Sequence, residues 1–219
     1  MAAFRLAAAA GADGIELDVR TCRSGELVVA HDVTLARCTS GRDGRAIADL
    51  DWAELVEVDL GAGERVPLLR SVLDWARQRG LQVNVEMKRD VPDRTVVVRE
   101  TSRALAQTPD AGSFVIVSSF DGWMLRRLGA LLPGIVRGLL SCEGDRFMRS
   151  IWAARLVGAQ AVHPERTAVT AHRCARWKAA GMLVNTWTVN DVSEARRLAL
   201  LGVDAIVTDE PGAVVEALG

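Results

Sequence analysis

The sequence predicts an α/β protein, a TIM (β/α)8 barrel whose first β-strand, at the N-terminus, is absent. Three observations carry that prediction. Short apolar runs alternate with longer helical patterns from one end of the chain to the other, which is how the βα units of a parallel sheet read in sequence. Seven of those runs are each followed by further helical pattern and one helix precedes the first, one strand short of a closed barrel. No Pro- or Ser-rich linker interrupts the series, so residues 1–219 read as a single domain.

A helix around Ala2 to Ala10 leads into a strand from Gly14 to Arg20. The extended "ELVVAHD" follows, then a Gly- and Asp-rich loop through Gly41 and Gly44 that ends in a second helical region. "LLRSVLDWARQRG" reads as a helix closed by Gly80, "LQVNVEMK" as a strand, "DRTVVVRETSRALAQ" as a helix and "SFVIVSSF" as a strand. Helices over Gly122 to Leu131, Arg146 to Val157, Ala168 to Ala180 and Val192 to Leu200 lead into strands at "GIVRGLL", "AQAVHP", "MLVNTWTVN" and "VDAIVTD", and Gly212 to Leu218 closes the chain as a helix. The seven strands start at Gly14, Val83, Phe114, Val136, Ala161, Met182 and Ala205. A doubly wound open sheet shares this alternation, but its Gly-rich first turn has no counterpart: "GAGERVP" holds only a GxG with no strand before it.

Composition narrows the function classes. With 219 residues, 49% of them apolar, the chain can bury a large core. A net charge of −1 with Lys and Arg scattered among acids argues against a nucleic-acid partner. Cys22, Cys38, Cys142 and Cys174 form no CxxC pair, so free thiols in a reducing, cytoplasmic setting are expected. No apolar run is long enough for a membrane span, and Arg5 interrupts the one N-terminal stretch that could pass for a signal peptide.

A barrel carries its chemistry at the C-terminal ends of its strands. The polar residues there are Glu16, Asp18, His31, Asp32, Glu86, Lys88, Ser118, Ser119, His163, Trp187, Asn190 and Asp209. Strand alternation puts Glu16 and Asp18 on one face, and likewise Glu86 and Lys88. Three carboxylates and one ammonium then converge on one mouth. Carboxylates gathered so closely repel unless a cation holds them, and hard oxygen donors select Mg²⁺ or Ca²⁺ over Zn²⁺. Individual residues have plainer readings: Asp209 as a helix cap, His163 before Pro164 as a turn residue, Trp187 as barrel packing. The four-residue set does not, because two strands each place two charges on core-facing positions.

The runs "GADGIELDV", "GELVVAHDVTLARCTSG", "VPLL", "NVEMK", "VSSFD", "TWTVND" and "GVDAIVTDEP", in that order and spacing, resemble the glycerophosphodiester phosphodiesterases from Ala2 to Pro211. The resemblance implies a TIM barrel that uses a divalent metal to hydrolyse glycerophosphodiesters to sn-glycerol 3-phosphate and an alcohol. By position, it implies Glu16, Asp18 and Glu86 as ligands of Mg²⁺ or Ca²⁺, and His31 as one of two acid/base histidines. It implies Lys88 as a phosphate contact and Trp187 beside the glycerol or alcohol moiety. The chemistry is consistent, since charge builds on the non-bridging oxygens during displacement and the leaving alkoxide needs a proton.

Family members ordinarily carry, ahead of the helix read here as "AAFRLAAAA", a strand with His-Arg-Gly and then a Pro-Glu-Asn-Thr turn. Those supply the second histidine and a phosphate-binding arginine, and this sequence begins after both. Two expectations stand side by side: an enzyme whose assigned start lies downstream of the true one, and a truncated, non-catalytic barrel that binds metal or phosphate. Either way an exposed sheet edge and slow or absent turnover are expected of the chain as given. Another metal-dependent barrel, such as a sugar isomerase, lacks support because its histidine-rich metal set is missing.

Overall fold

Eight strands build one curled sheet in the order β2-β1-β3-β4-β5-β6-β7-β8. The computed structural model describes residues 1–219. The strands are β1 (Gly14–Thr21), β2 (Leu27–Val29), β3 (Gln82–Met87), β4 (Val115–Ser119), β5 (Val136–Ser141), β6 (Ala161–Pro164), β7 (Leu183–Thr186) and β8 (Ala205–Ile206). The helices are α1 (Ala2–Ala9), α2 (Trp52–Leu55), α3 (Leu69–Gln78), α4 (Arg94–Ala106), α5 (Ala111–Phe114), α6 (Gly122–Leu131), α7 (Ile151–Val157), α8 (Ala171–Ala179), α9 (Val192–Leu200) and α10 (Pro211–Leu218). All seven strands read from the sequence are present and mutually parallel, from β1 through β3 to β8. The "ELVVAHD" segment forms β2, which returns antiparallel along the upper end of β1 and pairs Val19 with Val29.

This is the TIM-barrel arrangement left open on one side. β8 pairs only with β7, and β1 pairs with β3 along its length and with β2 only from Val19 to Thr21, so no ladder joins β8 to β1. The core lies between sheet and helices. Strand residues Leu17, Val83, Val85 and Val117 pack on helix residues Leu73, Val97, Leu125 and Leu128, all within a few per cent of full burial. A second, smaller core of eight buried residues, among them Val28, Leu35, Leu55 and Val66, sits under the excursion between β2 and α3 and holds that excursion to the barrel rim.

Two helix starts differ from the sequence expectation, and a cap explains each. The helix expected from Arg146 begins at Ile151, because the Ser150 hydroxyl accepts from Ala153 N at 3.0 Å and residues before it form turns. The helix expected from Ala168 begins at Ala171, where Thr170 accepts from Arg173 N at 3.3 Å after a 3₁₀ turn over Arg166–Ala168. Capping side chains compete with the helical continuation that apolar spacing alone favours.

Candidate active site

The register of the parallel strands decides what meets at the mouth. Asp18 lies level with Glu86, Glu86 with Ser118, and Ser118 with Gly138; residues at one level of adjacent strands share a face. Glu16 is two residues below Asp18 on the same face. The result is a cluster in which ligand atoms of Glu16, Asp18 and Glu86 all lie within 4.8 Å of one another. Lys88, two residues beyond Glu86, bridges the pair above: its Nζ is 3.1 Å from Asp18 Oδ1 and 3.0 Å from Glu86 Oε1. The structure therefore brings together the whole four-residue charged set.

Its electrostatics show an excess of negative charge. Burial, followed by the Asp18 and Glu86 carboxylates, pushes Glu16 up to about 8, with Lys88 opposing. Glu86 is raised by burial and Asp18, again against Lys88. Burial pulls the Lys88 ammonium down, but Asp18 and Glu86 outweigh it and the net shift is upward. Three carboxylates against one ammonium leave two negative charges when all are ionised, the charge that one divalent cation cancels. All donors are hard carboxylate oxygens, the chemistry of Mg²⁺ and Ca²⁺ sites.

His31 stands on the facing loop just past β2. Its ring is exposed, and Nδ1 lies 2.6 Å from Asp32 Oδ1. Asp32 is held by Arg37 through Nε at 2.5 Å, and the Arg37 and His31 hydrogen bonds lower its carboxyl to about 2. With Nδ1 taken by Asp32, Nε2 makes no hydrogen bond, and His31 lines the cleft. That cleft, about 470 Å³, is lined by Arg20, His31, Glu86, Lys88, Arg89 and Phe120 with three further residues.

Trp187 is half-buried. Its ring meets Phe120 edge-on at 5.6 Å between centroids, and its Nε1 donates to the His163 carbonyl at 2.9 Å. Packing and a place near the cleft thus coexist in one side chain. His163 is no turn residue. It lies on β6, is 1% exposed, pairs through Nε2 with Asn185 Nδ2 at 3.1 Å, and is lowered to about 4 by burial. Asp209 caps nothing: α10 has Glu210 at its N-cap, and Asp209 Oδ2 accepts from Asn190 Nδ2 at 2.9 Å. Ser119 Oγ donates to the Met87 carbonyl at 2.8 Å, whereas the buried Ser118 Oγ has no partner.

Five residues at the cleft lie outside the candidates named from the sequence: Arg20, Val33, Arg89, Asp90 and Phe120. Arg20 has a sequence signal, since it continues the i, i+2 alternation from Glu16 and Asp18 onto the same face. Phe120 falls inside the run "VSSFD" without a role read for it there, and Arg89 follows "NVEMK"; their meeting, with the guanidinium 5.5 Å from the ring centroid, joins the ends of β3 and β4, which spacing along the chain does not show.

Residues 1–213 match the Glycerophosphoryl diester phosphodiesterase family. A glycerophosphodiester phosphodiesterase of Caldanaerobacter subterraneus subsp. tengcongensis is 31% identical over 223 residues, covering 98% of this chain and 89% of that protein. One from Bacillus altitudinis is 29% identical, with 99% and 90% covered. Among solved structures, an Oleispira antarctica phosphodiesterase in complex with the product sn-glycerol-3-phosphate superposes with a TM-score of 0.89 at 26% identity, covering 99% of this chain and 89% of that one. The glycerophosphodiester phosphodiesterase of Thermotoga maritima gives a TM-score of 0.74 at 27% identity, with 97% and 88% covered. No helix of this chain is long and apolar enough to cross a membrane.

Proposed function

The chain belongs to the glycerophosphoryl diester phosphodiesterase family, and from that premise we propose that it hydrolyses glycerophosphodiesters to sn-glycerol 3-phosphate and an alcohol in a metal-dependent reaction. The observation that carries the reading is the carboxylate cluster of Glu16, Asp18 and Glu86 beside Lys88. These residues fit a divalent cation in donor chemistry and in charge, and Glu16, Asp18 and Glu86 would hold Mg²⁺ or Ca²⁺. When bound, such an ion supplies positive charge to the phosphoryl oxygens and lowers the pKa of a bound oxygen.

The protein's own groups supply the rest. Lys88 offers three N–H donors to the non-bridging oxygens, where charge grows in the transition state. His31, oriented by Asp32, gives a proton from Nε2 to the departing alkoxide, a step worth about 10²–10⁴-fold in rate. Trp187 and Phe120 form an aromatic wall against which the glycerol or alcohol carbons pack. The small-molecule substrate fits a cleft of about 470 Å³, and the solved structure holding sn-glycerol-3-phosphate supports a product of that size.

The test measures glycerol 3-phosphate release from glycerophosphocholine, glycerophosphoethanolamine and glycerophosphoglycerol, with Mg²⁺ or Ca²⁺ and with EDTA. Slow release that EDTA abolishes, and that Glu86→Ala abolishes likewise, is the expected result. Metal-induced thermal stabilisation without turnover of any diester would establish a non-catalytic binding barrel instead.

A further inference from the structure

We propose that Arg20 is a positioning residue that latches the loop bearing His31 to the loop bearing Lys88. This rests on the catalytic reading above. The β2 ladder ends at Val29; the last main-chain bond before His31 is Ala30 N to the Asp18 carbonyl at 3.0 Å, and the next is Ile47 N to the Val33 carbonyl at 3.0 Å. Neither His31 nor Asp32 makes a main-chain to main-chain hydrogen bond. The His31 carbonyl is held by one group only, the Arg20 guanidinium, with Nε at 3.1 Å and Nη2 at 2.8 Å.

The same guanidinium reaches across the cleft. Its Nη1 donates to the Asp90 carbonyl at 2.8 Å, and Nη2 lies 3.0 and 2.8 Å from the two Asp90 carboxylate oxygens. Asp90 is two residues past Lys88, so five contacts from one side chain tie the acid/base loop to the phosphate-contacting loop. Arg20 is 4% exposed, and a buried guanidinium is costly unless it is paired and hydrogen-bonded; here each of its three nitrogens has an acceptor. Only the planar fork of arginine spans both loops at once; an ammonium on the same stem reaches one. The latch sets where the His31 ring stands relative to the phosphoryl oxygens.

Arg20→Lys is the direct test, read in three ways. Expected are a fall in kcat of about 10–100-fold, by analogy with the loss of outer-shell partners that orient metal ligands, with KM and the metal-induced rise in Tm retained. The third readout needs no turnover: the protein has three histidines, and in spectra of histidine-labelled protein the His31 ring signals shift or broaden while those of His163 and His172 hold. Wild-type kcat in the variant, or unchanged His31 signals, overturns the proposal; so does a fall in Tm and metal response that accounts for the whole loss. If Arg20→Lys fails to fold, Asp90→Ala carries the test, since that carboxylate is 54% exposed and its removal opens one side of the latch. A wild-type protein that turns over no diester sinks the catalytic reading alone, and the histidine spectra still decide the latch.

Discussion

Lys88 and Glu86 are neighbours in one ion pair, yet their removal should read differently. An ion that binds only the folded state adds RT ln(1 + [L]/Kd), about 2.7 kcal/mol at a hundredfold excess over Kd. Lys88 coordinates nothing and competes for Asp18 and Glu86, so Lys88→Ala should keep or enlarge the rise in Tm on adding Mg²⁺ while turnover collapses. Loss of the rise in that variant would mean that the ammonium organises the carboxylates. His163 supports a pH prediction. Its folded value, about 4, lies below its ordinary value, so between pH 6.5 and 4 the unfolded chain binds a proton that the folded chain refuses, and stability falls as pH drops through that window. Glu16 acts with the opposite sign, being protonated when folded up to about 8, so the informative quantity is a difference between variants. His163→Gln should lose less Tm than the wild type between pH 7 and pH 5. Parallel curves would show that the imidazole is not the titrating group. At this scale the sequence was legible for Glu16, Asp18, Glu86 and Lys88, because charge on core-facing strand positions is improbable without a use. It was misleading for His163, because burial comes from strands that lie far apart in the chain.

Elements make each other's space. A Cβ at Gly138 on β5 would overlap the His163 imidazole on β6, so the glycine is the seat of the buried ring. Gly138→Ala should therefore destabilise by about 1–3 kcal/mol, the usual penalty of overpacking. Calorimetry checks it, at about 2–4 °C of Tm per kcal/mol for a domain of this size. In a His163→Ala background the same change should cost much less, because contacting residues are not additive. A full cost in both backgrounds would place the conflict elsewhere. Helix and strand existence was readable from periodicity, down to Gly122–Leu131 for α6, except for the one-turn α5, whose last residue Phe114 the sequence assigns to the following strand. Helix starts depended on Ser150 and Thr170, whose hydroxyls reach back to amide groups that apolar spacing ignores.

The whole molecule is a barrel whose sheet does not close on itself, and its edges should behave as edges. β8 has two residues, exposed or half-buried, and one neighbour, whereas β3 is flanked on both sides. Opening free energies run from near zero at frayed segments to the global value in the core. Hydrogen exchange should thus be fast at Ala205 and Ile206 and slow from Val83 to Met87. Equal protection would show that the edge is covered in solution. By itself the sequence determined the seven parallel strands, their helices and the charged residues at the strand ends, because period-two and period-3.6 apolar patterns and the dislike of buried charge are local properties. Only the tertiary structure decided the register that levels Asp18 with Glu86, the seat of His163 against Gly138 and the Arg20 bridge to His31 and Asp90. Each of these joins residues from separate elements, and which atoms come within hydrogen-bond reach is set by how the strands and their loops pack, not by spacing along the chain.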